Sequence, residues 1–390
     1  LIVPDLRAPA VAVAVLAAAA SASACSLQGQ GPAVCPVDGR PMATTGPRFF
    51  SVSVKELQAD VSIVDEAAAA MASAGAYYAG TKVHWELLEP VAGDPSRWEL
   101  YDPQLVSLLT HGLRPLVTLR GTAPWASSRP DAERPELYPP ADVAEWQGFV
   151  RRVVRRYGPA GAGAAGGAVR HWEIWNEPNG AEYFRGTVAE YLALLDAAYT
   201  VIREEDPAAR VWAPAVVIHP WALADSYAFV QQVIENGRFD VLSLHLYFDD
   251  VGAMVDVVEE VRARLDAAGR SGVPIAVTEV NAISTVIDCP GYNGWSEAQH
   301  VRQLTEVHAC LANAGAAAVF WFKSTDAGLY CRPPDDHLLI RNGLLDEEAV
   351  PKPRYHRYRE LRQCQEAELV FRDGFESGDL AGWSGSAGGG

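Results

Sequence analysis

Eight apolar stretches of strand length recur along the chain, and longer segments between them carry apolar residues at every third or fourth position. From Arg48 onward the stretches are RFFSVSV (48–54), AYYAGTKVHW (76–85), RPLVTLR (114–120), VRHWEIWNE (169–177), ARVWAPAVV (209–217), FDVLSLHLYF (239–248), VPIAVTEV (273–280) and AAAVFWF (316–322). Segments such as VAEWQGFVRRVVRRYG, VAEYLALLDAAYTVIREE, MVDVVEEVRARLDAAG and EAQHVRQLTEVHACLANAG read as amphipathic helices, most of them ending at Gly or before Pro. Strand and helix alternating eight times predict an α/β fold, the (β/α)8 TIM barrel. The strands are nearly continuous in apolar residues, as a parallel sheet covered on both faces requires. A doubly wound open sheet is the alternative, weakened because no GxGxxG follows an early strand.

In a barrel, segments that follow a strand lie on the catalytic face and segments that precede one lie on the opposite face. PAGAGAAGGA (159–168), which precedes the fourth strand, is therefore expected to be silent, and RPDAERPELYPP (129–140), which follows the third, to wall the cleft. After the eighth strand, PKP (351–353) looks like a rigid entry to a closing helix. The expected domains are a leader over 1–24, a cysteine-containing segment over 25–47, the barrel over 48–365, and over 366–390 a flexible tail or the start of an accessory module.

Charge narrows the choice of partner. A formal charge of −17 and a pI near 5.0 leave no basic stripe for phosphates, so nucleic acid and anionic membrane surfaces are excluded as partners. Arg7, the apolar run Ala8 to Ala20 and the small residues Ala22-Ser23-Ala24 form the pattern of a secretory leader and imply an extracellular or periplasmic protein. Cys25 as a lipid anchor is the minority alternative, since Ala22 stands where such signals carry leucine. The even set Cys25, Cys35, Cys289, Cys310, Cys331 and Cys364 favours disulfides over metal ligation; spacing leaves the connectivity open among about fifteen arrangements, of which Cys25–Cys35, Cys289–Cys331 and Cys310–Cys364 is the one taken first. A monomer without cofactor is expected, and no metal, because no HxH or HExxH cluster ends a strand.

Glu177 closes the fourth strand and Glu279 the seventh, so both carboxylates should emerge on one face of the barrel. Two carboxyl groups across a cleft are what glycosidic cleavage needs, one to protonate the leaving oxygen and one to attack or stabilise the sugar. Trp175-Asn176-Glu177-Pro178-Asn179 resembles the acid/base motif of the retaining glycoside hydrolases of clan A, and Thr278-Glu279 resembles their nucleophile strand. The likeness runs over Arg48 to Gln365, including HWELLEP, APWA, LSLHLYF, GLLD and PKP, and is greatest to family 39, with family 5 next.

The resemblance implies a carbohydrate substrate, with Glu177 as acid/base, Glu279 as nucleophile and Asn176 on the sugar 2-hydroxyl. It also implies that Tyr247 orients Glu279 and that His245 lines the site. Ser243, His245 and Tyr247 share parity on the sixth strand. Trp321 is the expected sugar platform, extended by Trp125 and by Trp85, and His84 is a further expected substrate contact, sharing parity with Lys82 on the second strand, where many clan members carry arginine. His219 and Trp221 are cleft candidates without a motif, and Glu173, four residues below Glu177, is expected to be a buried structural acid unless a bulge changes the parity. An inactive carbohydrate-binding barrel and a transglycosylase are the competing functions.

Overall fold

The computed structural model of the protein describes residues 33–54, 61–94, 96–161, 167–282, 295–326 and 342–375, the backbone alone at 61–62 and 366–375. The expected leader, Cys25, Cys289 and Cys331 lie outside the described residues.

Nine parallel strands, β1 (Phe50–Ser53), β2 (Tyr78–His84), β3 (Arg114–Arg120), β4 (His171–Ile174), β5 (Arg210–Trp212), β6 (Val216–Ile218), β7 (Leu242–Tyr247), β8 (Ile275–Asn281) and β9 (Ala318–Phe322), pair in the order β5-β4-β3-β2-β1-β9-β8-β7-β6. The fifth predicted strand is split into β5 and β6 around Pro214, which has no N–H to give to a ladder. Its two halves join the ends of the sheet, because Ala213 N donates to Val241 O at 3.0 Å and Glu177 N to Ala215 O at 2.8 Å. The ring therefore closes as a TIM barrel of eight staves, one of them in two pieces.

Helices α1 (Val61–Ser73), α2 (Asp102–Thr110), α3 (Val143–Tyr157), α4 (Val188–Glu205), α5 (Leu223–Asn236), α6 (Val251–Ala267), α7 (Glu297–Asn313) and α8 (Pro353–Phe375) alternate with these staves. Their starts are written locally: Asp142 caps α3 by accepting from Ala144 N, and Thr187 with Glu190 and Ser296 with Gln299 form capping boxes on α4 and α7. Pro353 opens α8 as PKP suggested, and α8 runs past Gln365 to Phe375, so the expected boundary between barrel and tail falls inside a helix. EAELVF (366–371) contains no helix breaker, which is why the helix continues.

Tyr78, Leu116, Trp212, Ala276 and Phe320 form one cluster in which Tyr78, Trp212 and Phe320 meet although β2, β5 and β9 are not neighbours, so they fill the bore as its apolar floor. Tyr78 stacks on Phe320 with ring centroids 5.9 Å apart and meets Trp212 edge-on at 5.3 Å. Burying each such ring contributes about 1.5–3 kcal/mol. Above this floor the bore turns polar: Glu173 is fully buried and accepts from Thr118 Oγ1 at 2.7 Å, which gives it the structural role expected of it.

The cysteine pairing differs from expectation. Cys35 is bonded to Cys310 on α7, across 275 residues, and not to Cys25; Cys364 is disulfide-bonded as well, but not to Cys310. The reason is the path of the N-terminal segment, which lies along the closing helices: Ala43 N donates to Asn313 Oδ1 and Thr45 N to Gln365 Oε1, both at 2.7 Å.

Candidate active site

Regular strands send alternate side chains to opposite faces, and neither catalytic candidate reaches the bore by a regular strand. On β4, Glu173 points inward, so an unbroken strand would send Trp175 inward too. Trp175 instead has φ 67° and packs outward against Trp146 of α3 and against Phe184. Asn176 follows, and Glu177 takes φ 49°, so that two left-handed non-glycine residues flank the asparagine and aim the glutamate into the mouth. On β8, Ala276 faces the bore, which would turn Glu279 outward. The register slips between Val277 and Val280, a bulge that re-phases the strand and brings Glu279 inward opposite His245.

The two carboxylates meet across His245. Its Nδ1 lies 2.6 Å from Glu177 Oε1 and 3.5 Å from Glu279 Oε2, and the imidazole is fully buried. Tyr247 Oη donates to Glu279 Oε2 at 2.5 Å, and Lys82 Nζ stands 3.7 Å from Glu279 Oε1. One carboxylate oxygen of each glutamate lies within 4.8 Å of the other's. Glu177, His245 and Glu279 are also the described residues whose donor atoms lie close enough together to hold a cation. Lys82 and Tyr247 already supply Glu279 with a positive charge and a proton, and a metal ion would have to compete with both.

A cavity of about 300 Å³ opens above this cluster, lined among others by Lys82, Asn176, Tyr183, His219, Trp221 and Phe322. Asn176 Oδ1 is buried with no protein partner among the described residues, an acceptor available to a hydroxyl. Tyr183 is a wall residue that the sequence did not single out. Its phenol is pushed well above the usual tyrosine range, first by burial and then by the charges of Glu177 and Glu279, so it stays a proton donor. Glu182 also lines the cavity and follows the NEPN motif on a loop without regular pattern.

Four expected contacts do not reach the cavity. Trp321 is fully buried on the outer face of β9, where it stacks on His308 and donates to Asn342 O; Phe322 faces the cavity instead. The cause is parity: Phe320 belongs to the bore floor, so position 322 and not 321 points inward. Trp125 donates to Glu89 O at 2.9 Å and meets Trp85 edge-on, which holds its ring against the core, where Trp85 itself stacks on Phe149. His84 ends β2, where the chain turns into Trp85–Leu88, and its Nδ1 lies 2.9 Å from Glu86 Oε1. Burial, aided by Arg120 and Lys82, lowers its pKa below the usual histidine value. None of Arg129 to Pro140 lines the cavity either; that wall comes from the loops after β4 and β6.

The sequence profile of glycosyl hydrolases family 39 matches residues 100–378, well over half of the chain. A β-xylosidase from Caldicellulosiruptor saccharolyticus is 26% identical over 261 residues, covering 61% of this chain and 50% of the relative, so the chain spans half the length of the curated relative it matches. Among solved structures, a glucosidase from Croceicoccus marinus superposes with a TM-score of 0.63 at 17% identity, covering 85% of this chain and 69% of its own. A monomeric β-xylosidase from Caulobacter crescentus gives 0.62 at 20%, covering 82% and 69%. The family 39 enzyme from Xanthomonas axonopodis pv. citri gives 0.60 at 22%, covering 82% and 67%. At these identities the structural likeness establishes the barrel.

Proposed function

The chain belongs to glycosyl hydrolases family 39, and from that premise we propose that it hydrolyses O-glycosidic bonds with retention of configuration, using Glu279 as nucleophile and Glu177 as acid/base. The observation that carries this reading is the closeness of two buried carboxylates with oxygens within 4.8 Å. Retaining pairs stand about 5–5.5 Å apart, whereas inverting pairs need about 6.5–9.5 Å to admit a water between them.

In the first step a Glu279 oxygen forms a bond to the anomeric carbon as the bond to the leaving oxygen breaks, and that oxygen takes the proton from Glu177. In the second, Glu177 takes a proton from water, the water oxygen bonds to the anomeric carbon, and Glu279 leaves as carboxylate. The surroundings divide the labour accordingly. Lys82 and Tyr247 favour a charged Glu279, while among the described residues no lysine or arginine pairs with Glu177. Asn176 offers its buried amide oxygen to the sugar 2-hydroxyl.

The β-xylosidase relative makes a β-linked pentoside the first substrate to try, within a wider set of poly- and oligosaccharides. Export is part of the proposal: the N-terminal apolar run and the Cys35–Cys310 bond both fit an oxidising compartment. The deciding experiment is proton NMR of the first anomer released from xylo-, gluco- and manno-oligosaccharides. Release of the β-anomer from a β-linkage is expected; the α-anomer would reject the double displacement. Sugar binding without release would favour an inactive binding barrel, and transfer to an added acceptor at the expense of water would favour a transglycosylase.

A further inference from the structure

After β6 the chain leaves the barrel mouth through His219-Pro220-Trp221, and here a large apolar ring stands where folding does not need it. Trp221 is 67% exposed, the most exposed large hydrophobic side chain among the described residues. It lines the cavity that holds Glu177 and Glu279. One face of its indole is backed by the His219 imidazole, with centroids 4.9 Å apart and planes at 26°, which leaves the other face to solvent. The turn beneath is fixed: Ala222 N donates to His219 O at 3.0 Å and His219 N to Ser226 Oγ at 3.4 Å. A solvent-facing indole, backed on one face by an imidazole and standing beside a sugar-cleaving pair, is suited to the apolar face of a pyranose ring.

The position of the loop indicates which sugar. The segment that carries it is tied to the acid/base strand end, since Asn179 Nδ2 donates to Val217 O at 2.8 Å and Val217 N to Asn179 Oδ1 at 3.2 Å. Glu279 comes from β8, and β7 lies between β8 and β6. The loop thus rises on the side of the group that protonates the leaving oxygen. We propose that Trp221, backed by His219, is the stacking platform for the sugar ring attached to that oxygen, and that the natural substrate therefore has a sugar as its leaving group. This rests on the assignment of Glu177 as the acid.

The test compares two kinds of substrate with the same glycone: an oligosaccharide, whose leaving group is a sugar, and the glycosyl fluoride, which has no leaving ring. For Trp221→Ala the ratio of kcat/KM on oligosaccharide to kcat/KM on fluoride should fall about 10-fold, Trp221→Phe should recover much of it, and His219→Ala should lose about 3-fold. An unchanged ratio, whether both substrates suffer equally or neither does, overturns the platform. A second measurement does not need turnover: in Glu279→Gln, xylo-, gluco- or manno-oligosaccharide should protect part of the tryptophan fluorescence from acrylamide, and the additional Trp221→Phe change should abolish that protection. Protection that survives Trp221→Phe also overturns the proposal. If the wild type cleaves neither fluoride nor oligosaccharide, the glycosidase reading fails by itself, and the fluorescence result still decides the platform.

Discussion

The ends of β4 and β8 solve the same problem by different means. On β4 regular alternation would carry Trp175 into the bore along with the glutamate, and on β8 it would turn the glutamate itself outward. On β4 the correction is made with backbone angles, Trp175 at φ 67° and Glu177 at φ 49°, so the strand stops and its tip becomes a strained hook. On β8 it is made by one extra residue, and the strand continues in the sheet to Asn281, whose side chain donates to Phe322 O. The surroundings differ in parallel. Glu279 sits among a cation and a phenol, whereas Glu177 has the imidazole and its own strained backbone. The proposed nucleophile thus stands between an ammonium and a phenol, and the proposed acid/base stands beside an imidazole.

Loss of the proposed nucleophile should be the largest effect. Glu279→Gln keeps the shape of the site and removes the bond-forming oxygen, so turnover of every glycoside should fall by about 10⁴-fold or more. Glu177→Gln should cost about 10²–10⁴-fold on oligosaccharides and little on glycosides whose leaving group needs no proton, measured as kcat/KM on xylobiose against a glycosyl fluoride. Equal losses on both substrates would show that the two strand ends do not divide the chemistry in this way. Smaller again, Tyr247→Phe removes a hydrogen bond to a charged acceptor, about 1.5–3 kcal/mol, or roughly 10- to 100-fold in kcat/KM. If Tyr247→Phe were silent, Glu279 would not need the phenol to hold its place.

The alternation of strand and helix was legible in the sequence because the barrel strands are largely apolar and several helices carry their own caps. Glu177 and Glu279 were legible as strand-end carboxylates in recognisable motifs, and His245 and Tyr247 by simple alternation on β7. The phase of β9 was not legible: Phe320, Trp321 and Phe322 are three aromatic residues in a row, and only the contact of Phe320 with Tyr78 and Trp212 decides which of them faces in. Nor could the sequence reveal that Glu86 engages His84 or that Trp125 bonds to Glu89 O, since both depend on where a short helical turn places its neighbours. The Cys35–Cys310 pairing depends on a terminal segment lying across α7, which no spacing encodes.

The two strand ends also predict opposite responses to the same mutation. Glycine at 177 relieves a left-handed conformation that costs an ordinary residue roughly 1–2 kcal/mol, and His245 Nδ1 still has Glu279 3.5 Å away. Glycine at 279 sits in extended strand, where it costs roughly 0.5–1 kcal/mol, and it deprives Tyr247 and Lys82 of their carboxylate, worth about 1–3 kcal/mol more. Thermal melting at neutral pH should therefore place Glu177→Gly about 2 °C above the wild type and Glu279→Gly several degrees below it. If both variants melt lower by the same amount, the hook at the end of β4 is relaxed by contacts other than its backbone, and the contrast between a strained and an unstrained strand end has to be given up.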